Sequence, residues 1–196
     1  MNLTSPIYWS PLLYNIALKI LYRKKLEERF ECVLTRIPSS TQSVLDICCG
    51  SGYIFEHYLK KKNIHYTGLD FNKKLLKRVE KIGGNTIYMK LPGKLPKADV
   101  ILMMGSLYHF RGQENIIVDR MIEASREKVI ILEPIKNLSS SDILGFIGKL
   151  ATYIQETSYA HRFDEPKLKE IFKSGTTAIF SKAVNNKYLL IELDKL

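Results

Sequence analysis

Hydrophobic and polar positions follow two periods along this chain, and these periods predict strands and helices in turn. Short, nearly continuous apolar runs such as Val44–Ile47 are typical of buried strands. Between such runs, apolar residues recur at helical spacing, as Leu75, Leu76 and Val79 do. The predicted strands are 44–47, 64–69, 86–89, 99–104 and 129–132, with a closing hairpin of 178–183 and 188–192; the predicted helices begin near residues 54, 73, 114 and 164.

Local signals mark the ends of several of these elements. Asn72 is a suitable N-cap for a helix over Lys73–Lys81, and Gly83-Gly84 follows that helix. Asn185-Asn186 joins the last two strands as a hairpin turn. Because strands and helices alternate before an antiparallel pair ends the chain, we expect an α/β fold with a mainly parallel sheet.

Two amphipathic segments lie outside this alternation. Residues 6–30 carry Tyr8, Trp9 and Tyr14 among regularly spaced apolar residues, and residues 138–160 continue from a serine-rich N-cap cluster. No repeat, low-complexity tract or flexible linker divides the chain, so we expect one domain. Residues 1–30 would form a helical segment beside a main domain of residues 31–196. The alternative, for either segment, is that it simply packs against the core.

Composition places the chain among ordinary globular proteins. It has 196 residues, of which 45% are hydrophobic and 26% are charged. No apolar run approaches the roughly 20 residues that span a bilayer, and the N-terminus lacks the pattern of a signal peptide. Three cysteines, two of them adjacent, do not form a disulfide framework. We therefore expect a cytoplasmic protein.

The net charge of +10 is unevenly distributed. Residues 1–90 contain 15 Lys and Arg against 7 Asp and Glu, whereas residues 91–196 contain 15 against 13. Such a bias is compatible with RNA, with an anionic membrane surface or with an acidic substrate. Solvated helix faces explain it as well.

The stretch from Val44 to Gly52 carries the clearest chemical signal. A buried strand ends in Asp46, and a turn containing Gly50 and Gly52 follows at once. Glycines permit a sharp turn and let a ligand approach the main chain. The next strand ends in Asp70, whose carboxylate suits ribose hydroxyls. The pattern predicts a site for a nucleotide-like ligand, although a structural turn is the alternative.

This arrangement resembles the class I S-adenosylmethionine-dependent methyltransferases, whose first motif runs acid-x-Gly-x-Gly-x-Gly. The corresponding residues are Asp46-Ile47-Cys48-Cys49-Gly50-Ser51-Gly52, so Cys48 stands where the first glycine usually stands. The resemblance covers about residues 30–196. It implies a three-layer, Rossmann-like, doubly wound sheet of seven strands with the last antiparallel. It also implies that the N-terminal segment and a helical insert after strand five roof the acceptor pocket.

The resemblance also implies a set of donor contacts and the cofactor S-adenosylmethionine, with S-adenosylhomocysteine as product. Asp46 and the turn would hold the methionine part, Asp70 the ribose and Phe71 the adenine. Met89 stands where the family usually has a polar residue that reads the adenine amine, and it would pack on the ring. The implied donor-site residues are Asp46, Cys48, Gly50, Gly52, Asp70, Phe71, Met89 and Gly105.

Candidate acceptor-side residues follow from the same comparison. His109 is the predicted general base, since a histidine titrates near neutral pH, and Tyr108 would orient the acceptor. Simple packing of Tyr108 and His109 is the alternative. We expect the acceptor to contact Tyr8, Trp9, Tyr14, Glu133, His161 and Arg162, and we expect no metal.

Several methyltransferase classes do not fit. The Asp/Asn-Pro-Pro-aromatic motif of amino-methylating enzymes is absent, because this position reads Gly105-Ser106-Leu107-Tyr108. No cysteine follows residue 49, as cytosine-C5 enzymes would require. We therefore predict O- or N-methylation of a small-molecule or lipid-like acceptor. The alternatives are a tRNA or rRNA methyltransferase and a catalytically silent partner subunit. The N-terminal helix could also lie on an anionic membrane.

Overall fold

A seven-stranded sheet forms the centre of the molecule. The computed structural model describes residues 6–22, 25–89, 93–135, 163–172 and 177–194. Its strands run in the order β3-β2-β1-β4-β5-β7-β6, and β7 is antiparallel to both of its neighbours. The predicted doubly wound sheet with an antiparallel last strand is confirmed. The strands are β1 Ser43–Ile47, β2 His65–Asp70, β3 Asn85–Tyr88, β4 Ala98–Met104, β5 Ser125–Pro134, β6 Ala178–Ala183 and β7 Tyr188–Asp194.

Helices cover both faces of this sheet. They are α1 Pro11–Tyr22, α2 Lys25–Leu34, α3 Lys73–Lys81, α4 Glu114–Ala124 and α5 Glu165–Glu170, with shorter 3-10 turns at Pro6–Trp9, Lys60–Lys62 and Leu107–Phe110. The predicted helix over 73–81 and its cap are confirmed, because Asn72 Oδ1 accepts hydrogen bonds from the backbone N–H groups of Lys74 and Leu75. The predicted insert at 138–160 lies outside the described residues.

Three local features differ from the sequence-based expectations. The helix after the glycine turn is a π-helix, Phe55–Leu59, rather than a regular α-helix. Strand β5 begins at Ser125, directly after α4, and is therefore longer than the apolar run alone predicts. Residue 30, the expected end of the N-terminal segment, lies inside α2. The Phe30 side chain is buried, so the second half of that segment packs into the core.

The core lies in two layers, one on each face of the sheet. Ile47, Ile101 and Ile131 belong to the layer beneath α4 and α5. Val44, Leu102 and Ile130 belong to the other layer, which also receives Phe30 from α2. Buried parallel strands of this kind fix the sheet register, because a one-residue shift would exchange the two faces. The carboxyl ends of β1, β2 and β4 thereby meet at one edge, where open α/β sheets bind ligands.

Candidate functional site

The turn after β1 is built on left-handed backbone. Cys48, Gly50 and Gly52 have φ values of 59°, 57° and 73°. Packing also favours glycine at position 52, because a Cβ there would lie 2.9 Å from Val79 Cγ2 on α3. Cys48 adopts a conformation that L side chains rarely take, at the position where the motif usually has glycine. The turn is therefore retained with a cysteine in place of the first glycine.

Asp70 links this turn to the end of β2. Its Oδ2 accepts a hydrogen bond from the Gly50 N–H at 2.9 Å, and its Oδ1 accepts one from the Asn72 N–H at 2.8 Å. Burial raises the pKa of this carboxyl, whereas these backbone hydrogen bonds act in the opposite direction. A carboxylate has about four lone-pair positions, so Asp70 retains acceptor capacity toward a ligand.

Asp46 lies deeper in the same edge. Its side chain is 4% exposed, and its Oδ2 accepts a hydrogen bond from the Tyr66 hydroxyl at 2.7 Å. Burial raises the pKa of Asp46 to about 7, despite the opposing effect of the Tyr66 hydrogen bond. The charge of Asp46 therefore changes near neutral pH. Sequence reasoning missed Tyr66, although residues 66, 68 and 70 of one strand share a face.

The two cysteines of the turn lie in surroundings that disfavour the thiolate form. Both are free thiols. Burial raises the pKa of each thiol well above its usual value, and the carboxylates of Asp46 and Asp70 add to the increase. A thiol that stays protonated at neutral pH is a poor nucleophile. These pKa shifts give neither Cys48 nor Cys49 the character of an activated thiol.

The N-terminal segment contacts the turn directly. Tyr14 lies over Gly50, where a Cβ would come within 2.4 Å of the tyrosine hydroxyl. Asn15 Oδ1 accepts a hydrogen bond from the Ser51 hydroxyl at 2.5 Å, and the Tyr8 carbonyl accepts one from Asn72 Nδ2 at 2.8 Å. Trp9, in contrast, is 57% exposed. The structure thus brings Tyr14 to the turn and Tyr8 to the start of α3, and it leaves Trp9 facing outward.

A second turn follows β4 at the same edge. Gly105 has a φ of 63°, and its N–H donates to the Leu132 carbonyl at 2.7 Å. The fully buried Glu133 accepts hydrogen bonds from the backbone N–H groups of Leu107 at 3.1 Å and Tyr108 at 3.4 Å. Both carboxylate oxygens are thus engaged with the main chain. Glu133 holds the 3-10 turn that carries Tyr108.

Tyr108 and His109 are adjacent on that turn and half-buried. Their ring centroids are 4.0 Å apart, at an interplanar angle of 41°. The His109 N–H donates to the Ser106 carbonyl at 3.1 Å. Ser106 therefore holds the backbone of His109, and Glu133 holds the two residues that precede it.

The predicted adenine contacts lie at the ends of β2 and β3. The half-buried Phe71 packs beside Phe110, with ring centroids 6.2 Å apart. The Met89 N–H donates to the Asp70 carbonyl at 3.1 Å, and its side chain is 5% exposed in the core layer that includes Leu95. Two of the predicted acceptor contacts, His161 and Arg162, lie outside the described residues.

Metal-binding clusters and membrane-spanning helices are absent from the described ranges. No group of three or more His, Cys, Asp and Glu side chains there could hold a metal ion. None of the helices described is long and apolar enough to cross a membrane.

Known proteins share both sequence features and fold with this chain. A family model described as a methyltransferase domain matches residues 21–165. No curated protein sequence matches the chain. Three solved structures that share its fold are methyltransferases, and all are below 20% identical to it.

One is magnesium protoporphyrin IX methyltransferase from Synechocystis PCC 6803 with bound SAH, with a TM-score of 0.64 and 13% identity over 93% of this chain and 87% of that chain. Another is a putative Haloferax volcanii methyltransferase in complex with the Trm112 activator, with a TM-score of 0.71 and 12% identity over 97% of each chain. Human N-acetylserotonin methyltransferase in complex with SAM has a TM-score of 0.63 and 15% identity over 96% of this chain, which spans 57% of the human protein.

Proposed function

This chain belongs to the methyltransferase-domain family and is an S-adenosylmethionine-dependent methyltransferase, and we propose that its acceptor is a small or lipid-like molecule methylated on oxygen or nitrogen. One observation carries the proposal. The turn that would hold the donor and the turn that holds Tyr108 and His109 lie at one edge of the sheet, after neighbouring strands β1 and β4. Donor and acceptor groups would therefore meet at this edge.

The residues of this edge suit the donor. S-adenosylmethionine carries an ammonium and a sulfonium, and both Asp46 and Asp70 offer carboxylate groups nearby. Gly50 has no side chain where the donor would approach the main chain, and any Cβ there would meet Tyr14. We assign Asp46 and the turn to the methionine part and Asp70 to the ribose. Binding of the donor would require Tyr14 to adjust its position over Gly50.

The donor supplies a methyl group activated by the positive sulfur. An oxygen or nitrogen of the acceptor forms a bond to the methyl carbon while the carbon–sulfur bond breaks and its electron pair returns to sulfur. His109 takes the proton from an acceptor that arrives protonated, and Tyr108 orients that acceptor. The remaining task of the site is to align the two reactants and exclude water. Glu133 positions this turn through its backbone rather than contacting the acceptor itself.

An exposed apolar stripe on the N-terminal segment supports a lipid-like acceptor. Five large apolar residues, separated by three, one, three and four positions, follow one face of this segment and are between 41% and 68% exposed: Trp9, Leu12, Leu13, Ile16 and Ile20. Lys19 lies beside them, and residues 1–90 carry the excess of positive charge. An apolar face with basic surroundings suits the surface of an anionic membrane. We propose that α1 docks there and receives the acceptor.

Liposome co-sedimentation tests this docking. We expect the protein to sediment with vesicles that contain anionic phosphatidylglycerol and to remain free of neutral phosphatidylcholine vesicles. Replacing Leu12 and Ile16 by glutamate should abolish sedimentation, whereas Ile116→Glu, an equally exposed site on α4, should not. Equal sedimentation of both variants would contradict the assignment of α1 as the docking surface.

A methyl-transfer assay tests the acceptor class. With labelled donor, label should appear in the lipid or small-molecule fraction of a cell extract. His109→Ala should reduce turnover by about 100-fold or more while S-adenosylhomocysteine affinity stays unchanged. His57→Ala provides the control, because that side chain is 45% exposed. Unchanged turnover in His109→Ala would make His109 a packing residue.

RNA remains the second candidate, because of the charge balance of residues 1–90. Label recovered in tRNA or rRNA, with binding that falls steeply as salt increases, would support it and overturn the small-molecule proposal. A folded, ligand-free protein that binds no donor would instead support a silent partner subunit. The Haloferax volcanii protein, solved with the Trm112 activator, makes co-purification with a partner worth measuring in the same experiment.

A further inference from the structure

A buried guanidinium in α2 has no role in the site described above. Arg29 is 4% exposed, and its guanidinium carbon lies 3.8 Å from the centroid of the Tyr22 ring and 5.1 Å from that of the Tyr188 ring. Its Nε has no hydrogen-bond partner among the described residues. No carboxylate in that part of the chain lies within ion-pairing distance of it. Arginine remains charged under these conditions.

A buried charge of this kind is costly unless an opposite charge accompanies it. The two tyrosine rings compensate part of the cost and fix the guanidinium between them. They do not neutralise its charge or use all of its N–H donors. A fixed guanidinium with free donors is well suited to bind a carboxylate, often through two parallel hydrogen bonds. Arg29 therefore has the properties of an anion-binding residue.

The position of Arg29 connects it to the donor edge. A Cβ built on Gly105 would lie 3.3 Å from Nη2 of Arg29, so the guanidinium lies beside the Gly105 backbone, just after the carboxyl end of β4. In the sheet, β1 separates β4 from β2, and Asp70 ends β2. Two strand spacings amount to about 10 Å. The anion site and the proposed ribose contact thus lie at opposite ends of one ligand-sized edge.

We propose that Arg29 binds the α-carboxylate of S-adenosylmethionine. This inference rests on the proposed donor site and adds to it a residue that the motif does not contain. With ribose at Asp70 and the turn beneath the methionine chain, the amino-acid end of the donor reaches the end of β4. Asp46 then faces the donor's cationic groups, Asp70 faces its ribose, and Arg29 faces its carboxylate. An anionic group of the acceptor would bind Arg29 through the same charge-assisted hydrogen bonds, and it is the alternative ligand.

Calorimetry with two ligands distinguishes the donor carboxylate from an anionic group of the acceptor. It uses the unmodified protein. S-adenosylhomocysteine carries the α-carboxylate, and S-adenosyl-3-thiopropylamine is the same molecule without it. We expect the unmodified protein to bind the first ligand about 10- to 100-fold more tightly, the range expected for hydrogen bonds to a charged group. Equal affinity for the two ligands would overturn the assignment.

Arg29→Met tests the residue itself, because methionine retains much of the side-chain length without the charge. We expect this variant to lose about 10- to 100-fold in S-adenosylhomocysteine affinity and to bind the decarboxylated analogue within about twofold of the unmodified protein. Arg29→Lys keeps a charge but loses the planar fork, so an intermediate loss is expected. Arg36→Met removes the same charge from an exposed site just after α2 and should change neither affinity.

The outcomes are distinct. Unchanged S-adenosylhomocysteine affinity in a folded Arg29→Met protein overturns the inference, and a raised acceptor KM in that variant would move the anion to the acceptor. If Arg29→Met does not fold, Arg29→Lys tests the residue, and equal affinity of the unmodified protein for the two ligands still overturns the inference. A failure of the donor site itself differs from all of these, because the unmodified, ligand-free protein would then bind neither ligand.

Discussion

At the scale of single residues, Gly50 combines two requirements that no other residue type meets. Its φ of 57° is left-handed, and a Cβ would come within 2.4 Å of the Tyr14 hydroxyl. Gly112 shares only the first requirement, because it has a φ of 82° and a Cβ there would meet no atom of a non-neighbouring residue within 4 Å. The pair therefore separates backbone strain from collision with α1.

Replacing each glycine by alanine measures both contributions. We expect Gly112→Ala to lower the free energy of unfolding by about 1 kcal/mol through strain alone, and Gly50→Ala to lower it by about 3 kcal/mol. Urea denaturation gives both values. Adding Tyr14→Ala to Gly50→Ala should recover the part due to collision. Equal costs for the two glycines would mean that Tyr14 does not rest on Gly50.

Asp46 makes stability depend on pH in a defined direction. With a pKa of about 7 in the folded protein, Asp46 is protonated there at pH 5, whereas the unfolded chain is already ionised. The folded state then binds more protons, so the stabilisation from Asp46 is present at low pH and is lost as pH rises through about 7. Relative to Asp46→Asn, the unmodified protein should lose on the order of 3 kcal/mol between pH 5 and 8.

Asp99 is the matched control for this titration. Burial raises its pKa, but hydrogen bonds from Ser43, the Gln42 N–H and Arg126 outweigh that effect and lower the pKa below its usual value. Its contribution is therefore constant above pH 5, and the difference between the unmodified protein and Asp99→Asn should be flat from pH 5 to 8. A flat profile for Asp46→Asn as well would show that Asp46 is ionised throughout.

At the scale of elements, Asn72 joins α3 to the N-terminal segment. Its Oδ1 caps α3, and its Nδ2 donates to the Tyr8 carbonyl. Asn72→Ala should cost about 1–2 kcal/mol in unfolding free energy, while Asn72→Ser, which still caps, should cost much less. Both variants lose the contact to Tyr8. Hydrogen exchange in α1 should therefore accelerate in both, and acceleration in the alanine variant alone would contradict the link.

The sequence predicted those elements whose signals are local. The cap at Asn72 and the hairpin turn at Asn185-Asn186 depend on neighbouring residues only, and the structure places both as expected. The π-helix at Phe55–Leu59 and the early start of β5 at Ser125 do not follow from local periodicity. Packing and strand pairing decide such features, and neither is visible in a window of a few residues.

The candidate site, like the fold, has features that the sequence predicted and features that it did not predict. Asp46, Gly50, Gly52 and Asp70 could be identified from the motif and the strand ends. Their contacts could not be, because the hydrogen bond between Asp70 and the Gly50 N–H requires β1 and β2 to be neighbours. Arg29 gave no sequence signal at all, since a charged residue on an amphipathic helix is normally exposed. Only the packing of α2 against β7 and the end of β4 shows that it is buried.

At the scale of the whole molecule, the proposed donor site is one edge of the sheet. Seven strands, two core layers and the N-terminal segment together bring Asp46, Asp70, Gly105 and Arg29 to that edge from four different elements or their ends. The exposed apolar stripe lies on the outer side of the N-terminal segment, which covers this edge of the sheet. Donor binding should therefore stabilise the sheet and α1 together.

The most direct test is calorimetric titration of purified, ligand-free protein with S-adenosylhomocysteine. We expect micromolar binding, a loss of about 10-fold or more in Asp70→Asn, and no change in Asp119→Ala, an exposed carboxylate on α4. Circular dichroism confirms that each variant is folded. Absence of binding to the folded, unmodified protein, or equal affinity in Asp70→Asn, would contradict the proposed donor site.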